Sequence, residues 1–369
     1  MKVLYDHQSF SGAKYGGVAR YFYDLMYNLK YEQGIDIELA LQFSNNDYLK
    51  NGDIKNVIPF SFFLGYAKTN MLFSHINRLN SAVQIARQNY DVFHPTYFKD
   101  YFLPFLGKKP FVITHHDVIP EKFSTQYAGL DGFDINQKKK ILDKASKIIA
   151  VSENTKRDIL DIFKIAPEKV EVIYHSTHFT TFQPNPTIKI STPKRYLLYV
   201  GSRYNYKNFH VYIEAIAPIL KKQDDLYLIC AGNGKFTQSE QELFLQLKVE
   251  KQILHHEINS DDVLYQLYRN AIAFAYPSLY EGFGIPVIEA FACDCPVILS
   301  DRSCFPEVGQ DAALYFNPDD KENIAFQIEK VIENADLRTE LIQKGRKRLQ
   351  DFSPTITAQK TLEVYKSVL

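Results

Sequence analysis

Tryptophan is absent from the 369 residues of this chain, methionine occurs three times and cysteine four times. The missing tryptophan carries no functional conclusion, but the cysteines exclude something. Cys230, Cys293, Cys295 and Cys304 form no paired Cys-x-x-Cys spacing and have no histidine near them, so they do not read as a zinc site. They read instead as reduced, buried residues of a cytosolic protein. Net charge is missing too. The 43 basic residues balance 43 acidic ones, so no overall field draws in nucleic acid. No stretch reaches the roughly eighteen uncharged apolar residues of a membrane span, and Met1–Phe10 lacks a signal-peptide core. There is no Asp-x-Asp motif; the acid pairs at 224–225, 261–262 and 319–320 fall at element starts and read as caps or solvated turns. Nor is there a Gly-x-Ser-x-Gly turn, so a Ser/His/Asp hydrolase has no support.

What is present is alternation. Strand-like and helix-like segments succeed one another along the whole chain, the sign of parallel α/β layers. In the first half the strands are expected at Val3–Tyr5, Ile35–Phe43, Asp91–His94, Phe111–Thr114, Ile148–Val151 and Val170–Ile173. The helix after Gly16-Gly17 carries Val18, Tyr21, Phe22, Leu25, Met26 and Leu29 at helical spacing, one apolar stripe. Ser176 to Pro193, with three prolines and little periodicity, reads as a linker. The plan then restarts at Tyr196–Val200 and continues through Leu226–Cys230, Ile272–Tyr276, Val297–Ser300 and Ala313–Phe316. Length and pattern together predict two Rossmann-like α/β domains, 1–183 and 194–353, followed by a last helix at 355–369.

The most informative stretch is Tyr280-Glu281-Gly282-Phe283-Gly284-Ile285-Pro286-Val287-Ile288-Glu289. It follows an apolar strand and leads into a helix, predicted from Val287 to Ala292, with Pro286 where the first turn tolerates proline. Its glycines let backbone approach a ligand, and the free N–H groups of a helix start favour an anion. Carboxylates beside an anion site are better suited to gripping neutral hydroxyls, such as those of a sugar and a ribose. The constellation suggests a nucleotide sugar.

Glu281 and Glu289, eight residues apart with Gly-Phe-Gly between them, resemble the signature of family 4 retaining glycosyltransferases. That resemblance implies the two-domain GT-B architecture, a donor held mainly by the C-terminal domain, an acceptor held mainly by the N-terminal one, and a final helix crossing back onto the latter. It spans the chain but is most specific from Gly201 to Pro318, including Ser300-Asp301 and Phe305-Pro306-Glu307-Val308. The loop Gly201-Ser202-Arg203-Tyr204-Asn205-Tyr206-Lys207-Asn208 ends the first strand of the second half, where such sheets bind ligands. There Arg203 offers a planar fork for phosphate and Lys207 a point charge; the alternative is a basic loop whose Asn208 caps the next helix. Gly16-Gly17 resembles the family's glycine-rich turn facing the same phosphates, and Ala231 to Lys235 the loop near the nucleotide. In Thr114-His115-His116-Asp117, His116 is the better match to the family's sugar-contacting histidine, with His115 as the fallback and a loop-anchoring role as the alternative.

The expected catalytic residues are therefore His116, Glu281, Arg203 and Lys207. Gly16, Gly17, Gly282, Phe283, Gly284, Ile285 and Glu289 join the last three in binding donor. Neither catalytic metal nor cofactor is expected; the donor is a substrate, with GDP-mannose favoured by the Thr-His-His-Asp-Val-Ile-Pro string. The acceptor is a glycan or lipid-linked sugar in surface-polysaccharide assembly. A cytoplasmic enzyme is expected, with the aromatic run Phe60–Tyr66 serving either as core or as a peripheral membrane contact. An epimerase, a sugar phosphorylase and a non-catalytic nucleotide-sugar binder share enough of these features to stay open. A glycoside hydrolase has no use for Arg203, Lys207 and an anion-binding helix end.

Overall fold

The computed structural model describes residues 1–12, 14–61, 66–127, 134–203, 205–232 and 234–369, with residues 66 and 67 as backbone only. The chain divides into two compact units. Unit 1 contains Met1–Glu121, Asp131–Ser176 and Pro354–Leu369; unit 2 contains Lys122–Leu130 and Thr177–Ser353.

In unit 1 the strands are β1 (Lys2–Tyr5), β2 (Asp36–Leu39), β3 (Val92–His94), β4 (Val112–His115), β5 (Lys147–Ala150) and β6 (Val170–Val172). They pair in parallel as β2-β1-β3 and β4-β5-β6, and a parallel bridge from Phe93 to Phe111 links the two sets. Five helices follow in chain order: α1 (Gly17–Tyr31), α2 (Tyr66–Ala86), α3 (Ile119–Phe123), α4 (Ile135–Lys144) and α5 (Glu153–Phe163). The stripe on α1 is buried as its spacing predicts, with Tyr21, Phe22, Leu25, Met26 and Leu29 all in the core. The strand expected over Ile35–Phe43 is shorter. β1 offers only Lys2–Tyr5 as partner, the register closes at Tyr5 opposite Leu39, and Phe43 bridges Ile58 instead. The last helix of the chain, Pro354–Lys366, belongs to unit 1: its Ala358, Leu362 and Tyr365 enter the same apolar cluster as Phe22, Leu25 and Met26.

Unit 2 carries β7 (Arg195–Val200), β8 (Leu226–Ala231), β9 (Ile253–His256), β10 (Ala273–Tyr276), β11 (Val297–Ser300) and β12 (Ala313–Phe316). Its helices are α6 (Phe209–Lys222), α7 (Gln238–Leu247), α8 (Asp261–Asn270), α9 (Ile285–Ala292), α10 (Phe305–Gly309), α11 (Lys321–Glu333) and α12 (Ala335–Arg348), which makes the terminal Pro354–Lys366 helix α13. The six strands run parallel in the order β12-β11-β10-β7-β8-β9. From β7 the chain winds to one edge, returns to lay β10 beside β7, and winds to the other edge. That is the strand order of a dinucleotide-binding Rossmann sheet, whose ligands sit where the winding reverses. Leu197, Tyr199, Ile213, Ile216, Leu228, Ile298 and Ile328 form its core beneath α6 and α11. Among the described residues no helix is long and apolar enough to cross a membrane.

Candidate active site

The reversal point lies at the C-terminal ends of β7 and β10, and each end delivers one charge. After β7 the chain passes Gly201, at φ 122°, into a short 3-10 turn ending at Lys207. After β10 it passes Tyr280 into Glu281. Lys207 Nζ lies 2.6 Å from Glu281 Oε1 and donates to the hydroxyl of Tyr276, the last residue of β10, at 3.2 Å. Both side chains are about nine-tenths buried, and the Glu281 backbone N–H donates to Ser303 Oγ at 3.1 Å. Burial and then the Glu281 charge push the Tyr276 phenol well above its ordinary range, so it stays protonated.

The helix that follows is built for close approach. α9 starts at Ile285, two residues before the expected Val287, because Gly284 adopts φ 89° and serves as its N-cap with no side-chain cap bond. A Cβ on Gly284 would stand 3.1 Å from the Phe305 ring and 3.3 Å from Val287 Cγ2, so a side chain there meets both strain and contact. Gly282 is buried, and Phe283 is anchored edge-to-face on Phe352 at 5.6 Å. Pro286 occupies the first turn. One turn on, half-buried Glu289 accepts through Oε2 from the Tyr268 hydroxyl at 3.0 Å.

Arg203 is engaged within its own unit. Its guanidinium is buried, with Nε 2.8 Å from Glu240 Oε1, and its other nitrogens donate to the carbonyls of Gly232, Gly234 and Lys235 at 3.0–3.1 Å. The donors are committed to the turn after β8, whose Asn233 lies outside the described residues, as does Tyr204 beside Arg203. Burial raises the Glu240 carboxyl, but Arg203 and the Thr237 amide outweigh it and hold the group below its ordinary range. Asn208 does not cap α6 through its side chain; its amide donates to the Pro318 carbonyl at 2.8 Å.

In unit 1, Gly16 and Gly17 are exposed at the uncapped start of α1, Gly16 being its N-cap. His116 follows β4 and stacks on His175 with ring centres 5.3 Å apart, its Nδ1 3.4 Å from His175 Nε2. Burial, helped by the Lys138 charge, pushes His116 down to about 3, so it is neutral near pH 7. Its Nε2 has no hydrogen-bond partner among the described residues. His115 is the more enclosed of the two, wedged between Phe98 and Phe163. Tyr21 lies edge-on to both His116 and His175. Behind them runs an uncharged chain: Tyr5 hydroxyl to Tyr365 hydroxyl (2.6 Å), Tyr365 to His94 Nδ1 (2.6 Å), His94 Nε2 to Thr114 Oγ1 (3.0 Å), Thr114 to Tyr21 (3.1 Å). A cavity of about 490 Å³ opens elsewhere in this unit, lined by Phe10, Ser44, Asn46, Lys50, Phe60 and Asn70 among others. Residues 62–65 of the aromatic run lie outside the described residues; Phe60 stacks on Phe73.

The structure thus joins Lys207 to Glu281 directly, gives Arg203 and Glu289 partners of their own, and sets His116 and Gly16-Gly17 in unit 1. Sequence reading passed over Tyr276, Tyr268, Glu240 and His175. Glu240 alone left a signal, the capping box Thr237–Glu240 that opens α7. Among the described residues no three His, Cys, Asp or Glu side chains gather as metal ligands.

Residues 185–348 match the family described as Glycosyl transferases group 1, and residues 15–178 the one described as Glycosyltransferase Family 4. The O-antigen chain mannosyltransferase RfbU of Salmonella typhimurium is 31% identical over 220 residues, 59% of this chain and 60% of that protein. The O-antigen chain mannosyltransferase B of Escherichia coli is 27% identical over 238 residues, 61% of each. The chain thus spans about 60% of the length of these curated relatives. Among solved structures, sucrose-phosphate synthase from Thermosynechococcus elongatus superposes with a TM-score of 0.78 at 18% identity, covering 100% of this chain and 98% of that one. Anabaena HepE, solved with UDP and glucose, gives 0.74 at 19% identity with full coverage of both. These last two share the fold.

Proposed function

This chain belongs to the family 4 glycosyltransferases, with two Rossmann-like domains of GT-B type, and on that premise we propose that it transfers a sugar from a nucleotide-diphosphate sugar to a glycan or lipid-linked acceptor, with retention and without a metal. The observation that carries the reading is the Lys207–Glu281–Tyr276 contact at the reversal point of the unit 2 sheet, beside the uncapped start of α9. A departing nucleotide diphosphate gathers negative charge there. Lys207 and the backbone N–H groups of Phe283, Gly284 and Ile285 stabilise that charge as fixed donors. Gly16 and Gly17 open α1 in unit 1 with a helix start of the same anion-favouring kind.

Glu281, held by Lys207 on one oxygen, takes sugar hydroxyls with the other, and Glu289 takes the ribose. Arg203 acts as a positioning residue that holds the carbonyls of Gly232, Gly234 and Lys235. His116, neutral, offers its unpaired Nε2 to a sugar hydroxyl. The relatives named mannosyltransferases favour mannose as the sugar and GDP-mannose as the donor. The unit 1 cavity, with amide and lysine groups beside Phe10 and Phe60, takes the acceptor. Work in polysaccharide assembly on the inner face of the membrane fits such an acceptor.

The test is incubation with a panel of nucleotide sugars, following nucleotide release with and without acceptor. Acceptor-dependent release from GDP-mannose that survives excess chelator, giving a product with the donor's anomeric configuration, is expected. Release restored only by magnesium or manganese removes the metal-free mechanism. A panel with no acceptor-dependent release removes the transferase reading.

A further inference from the structure

Besides the loops after β7 and β10, a third segment reaches the reversal point of unit 2. Lys122 to Tyr127 belong to this unit although they come from the first half of the sequence. Phe123 ends α3, and the chain turns sharply behind it: the Gln126 and Tyr127 amides both donate to its carbonyl at 3.0 Å. The Tyr127 ring then backs the Phe123 ring, with centres 5.9 Å apart and planes inclined by 29°. Turn and ring together fix the Phe123 side chain.

What that ring meets is specific. Its centre lies 5.9 Å from that of Tyr206, the planes inclined by 28°, and 5.9 Å from that of Tyr280, tilted at 57°. Such separations are those of interacting aromatic pairs. Lys122 adds its ammonium over the Tyr280 ring at 4.7 Å. Tyr206 immediately precedes Lys207, and Tyr280 immediately precedes Glu281. The Lys207 ammonium also lies 5.0 Å from the centre of the Tyr206 ring. One phenyl group thus touches a neighbour of each partner in the ion pair. Those partners sit on loops that leave different strands, and a misplacement of about 1 Å at such a site can cost about a hundredfold in rate. The Leu279 amide already ties the loops by donating to the Tyr206 carbonyl at 2.8 Å, but that bond leaves the two tyrosine rings free to turn. Phe123 holds the rings.

We propose that Phe123 is a positioning residue of the transfer site: its ring holds Tyr206 and Tyr280 and through them sets the two loops on which Lys207 and Glu281 meet. Its effect on turnover rests on the transferase reading, whereas its effect on the loops is read without substrate.

Hydrogen exchange of the full chain without ligand reads the loops. Phe123→Ala should speed exchange of the Leu279 amide at least tenfold while the amides of β8 keep their wild-type rates. Phe123→Tyr, which keeps the ring, should leave Leu279 as in wild type. Turnover of the nucleotide sugar that wild type uses reads the ion pair. Phe123→Ala should lower kcat at least tenfold and change the donor KM by less than about threefold, because Lys207 acts on charge that builds in the transition state. Phe123→Leu keeps apolar bulk without a flat ring, so it should hold the thermal midpoint and still lose kcat, whereas Phe123→Tyr should restore kcat. If turnover merely follows the thermal midpoint through all three variants, Phe123 only packs and the proposal is overturned. Unchanged Leu279 exchange in Phe123→Ala overturns it as well. Faster Leu279 exchange in a protein that releases nucleotide from no sugar on the panel supports the tie between the loops and removes the transferase reading instead.

Discussion

The two units solve the same problem, ordering side chains at strand ends, with different chemistry. In unit 2 the strand-end groups are charged and paired, Lys207 with Glu281 and Arg203 with Glu240. In unit 1 the chain from Tyr5 through Tyr365, His94 and Thr114 to Tyr21 is uncharged, and the imidazoles of His94 and His116 are pushed down to about 3 by burial. Fixed charges suit the stabilisation of a departing diphosphate, which builds charge during reaction. Neutral donors and acceptors suit hydroxyl groups, which do not. The two chemistries should also fail differently when a group is removed.

The largest failure is expected at Lys207. Its loss leaves the Glu281 carboxylate buried without a counter-charge, a change that costs about 3–5 kcal/mol in comparable pairs. Lys207→Ala should lower the thermal midpoint and reduce kcat/KM at least tenfold. Adding Glu281→Gln should restore much of the midpoint and none of the turnover, since the ammonium is still missing. The matching cut in unit 1, Tyr365→Phe, removes neutral bonds to Tyr5 and His94 and should cost less, about 1–3 kcal/mol, because no charge is left unpaired. Equal losses in both units, read by chemical denaturation, would erase the contrast.

Arg203 comes next. Held by Glu240 and three carbonyls, Arg203→Ala should destabilise unit 2 by on the order of 3 kcal/mol with no ligand present. Glu240→Gln should destabilise in the same direction. A variant at Arg203 with unchanged stability but weakened binding of nucleotide diphosphate would return it to direct contact with phosphate.

The partners of Arg203 are not legible in the sequence. The loop residues and their strand-end position are local, so the spacing of Gly201, Lys207, Glu281 and Gly284 suffices to mark a site. The same holds for the apolar stripe of α1. Glu240 lies 37 residues beyond Arg203, and only the pairing of β7 with β8 brings the turn after β8 under the guanidinium. Tyr276 hides in an apolar run because only its hydroxyl is polar, and His175 is brought to His116 by the β4-β5-β6 order.

A smaller effect separates the units by pH. In unit 1 the imidazoles of His94, His116 and His175 are depressed by burial from 6.5, the first two to about 3. A depressed folded pKa means the unfolded chain binds more protons below 6.5. The stability these groups contribute is therefore complete above that pH and drains as pH falls, by about 1.4 kcal/mol per pH unit for each imidazole. In unit 2, Glu240 is also depressed, but from 4.5, so its contribution persists until pH falls below that value. His255 moves like the unit 1 imidazoles yet is only partly buried. Between about pH 6.5 and 5, hydrogen exchange corrected for its intrinsic rate should show β4 and β5 losing protection while β7 and β8 keep theirs. Loss in both units at once would place the acid-sensitive groups elsewhere.

The finest test divides unit 2 itself. Glu281 sits on the loop with one oxygen on Lys207, and Glu289 sits a turn into α9 with one oxygen on Tyr268. On our reading the first meets the transferred sugar and the second the ribose that donor and nucleotide product share. A single hydrogen bond to a hydroxyl is worth about 0.5–1.5 kcal/mol. Glu289→Gln should therefore weaken nucleotide diphosphate and intact donor alike, by about threefold to tenfold. Glu281→Gln keeps an oxygen that can still accept from Lys207, so it should spare the bare nucleotide and weaken the donor. Calorimetric titration of both ligands into both variants reads the four affinities. Equal weakening of nucleotide and donor by Glu281→Gln would take that residue away from the sugar. No change in any titration would take both carboxylates away from the ligand, with the sugar and the ribose held by other groups.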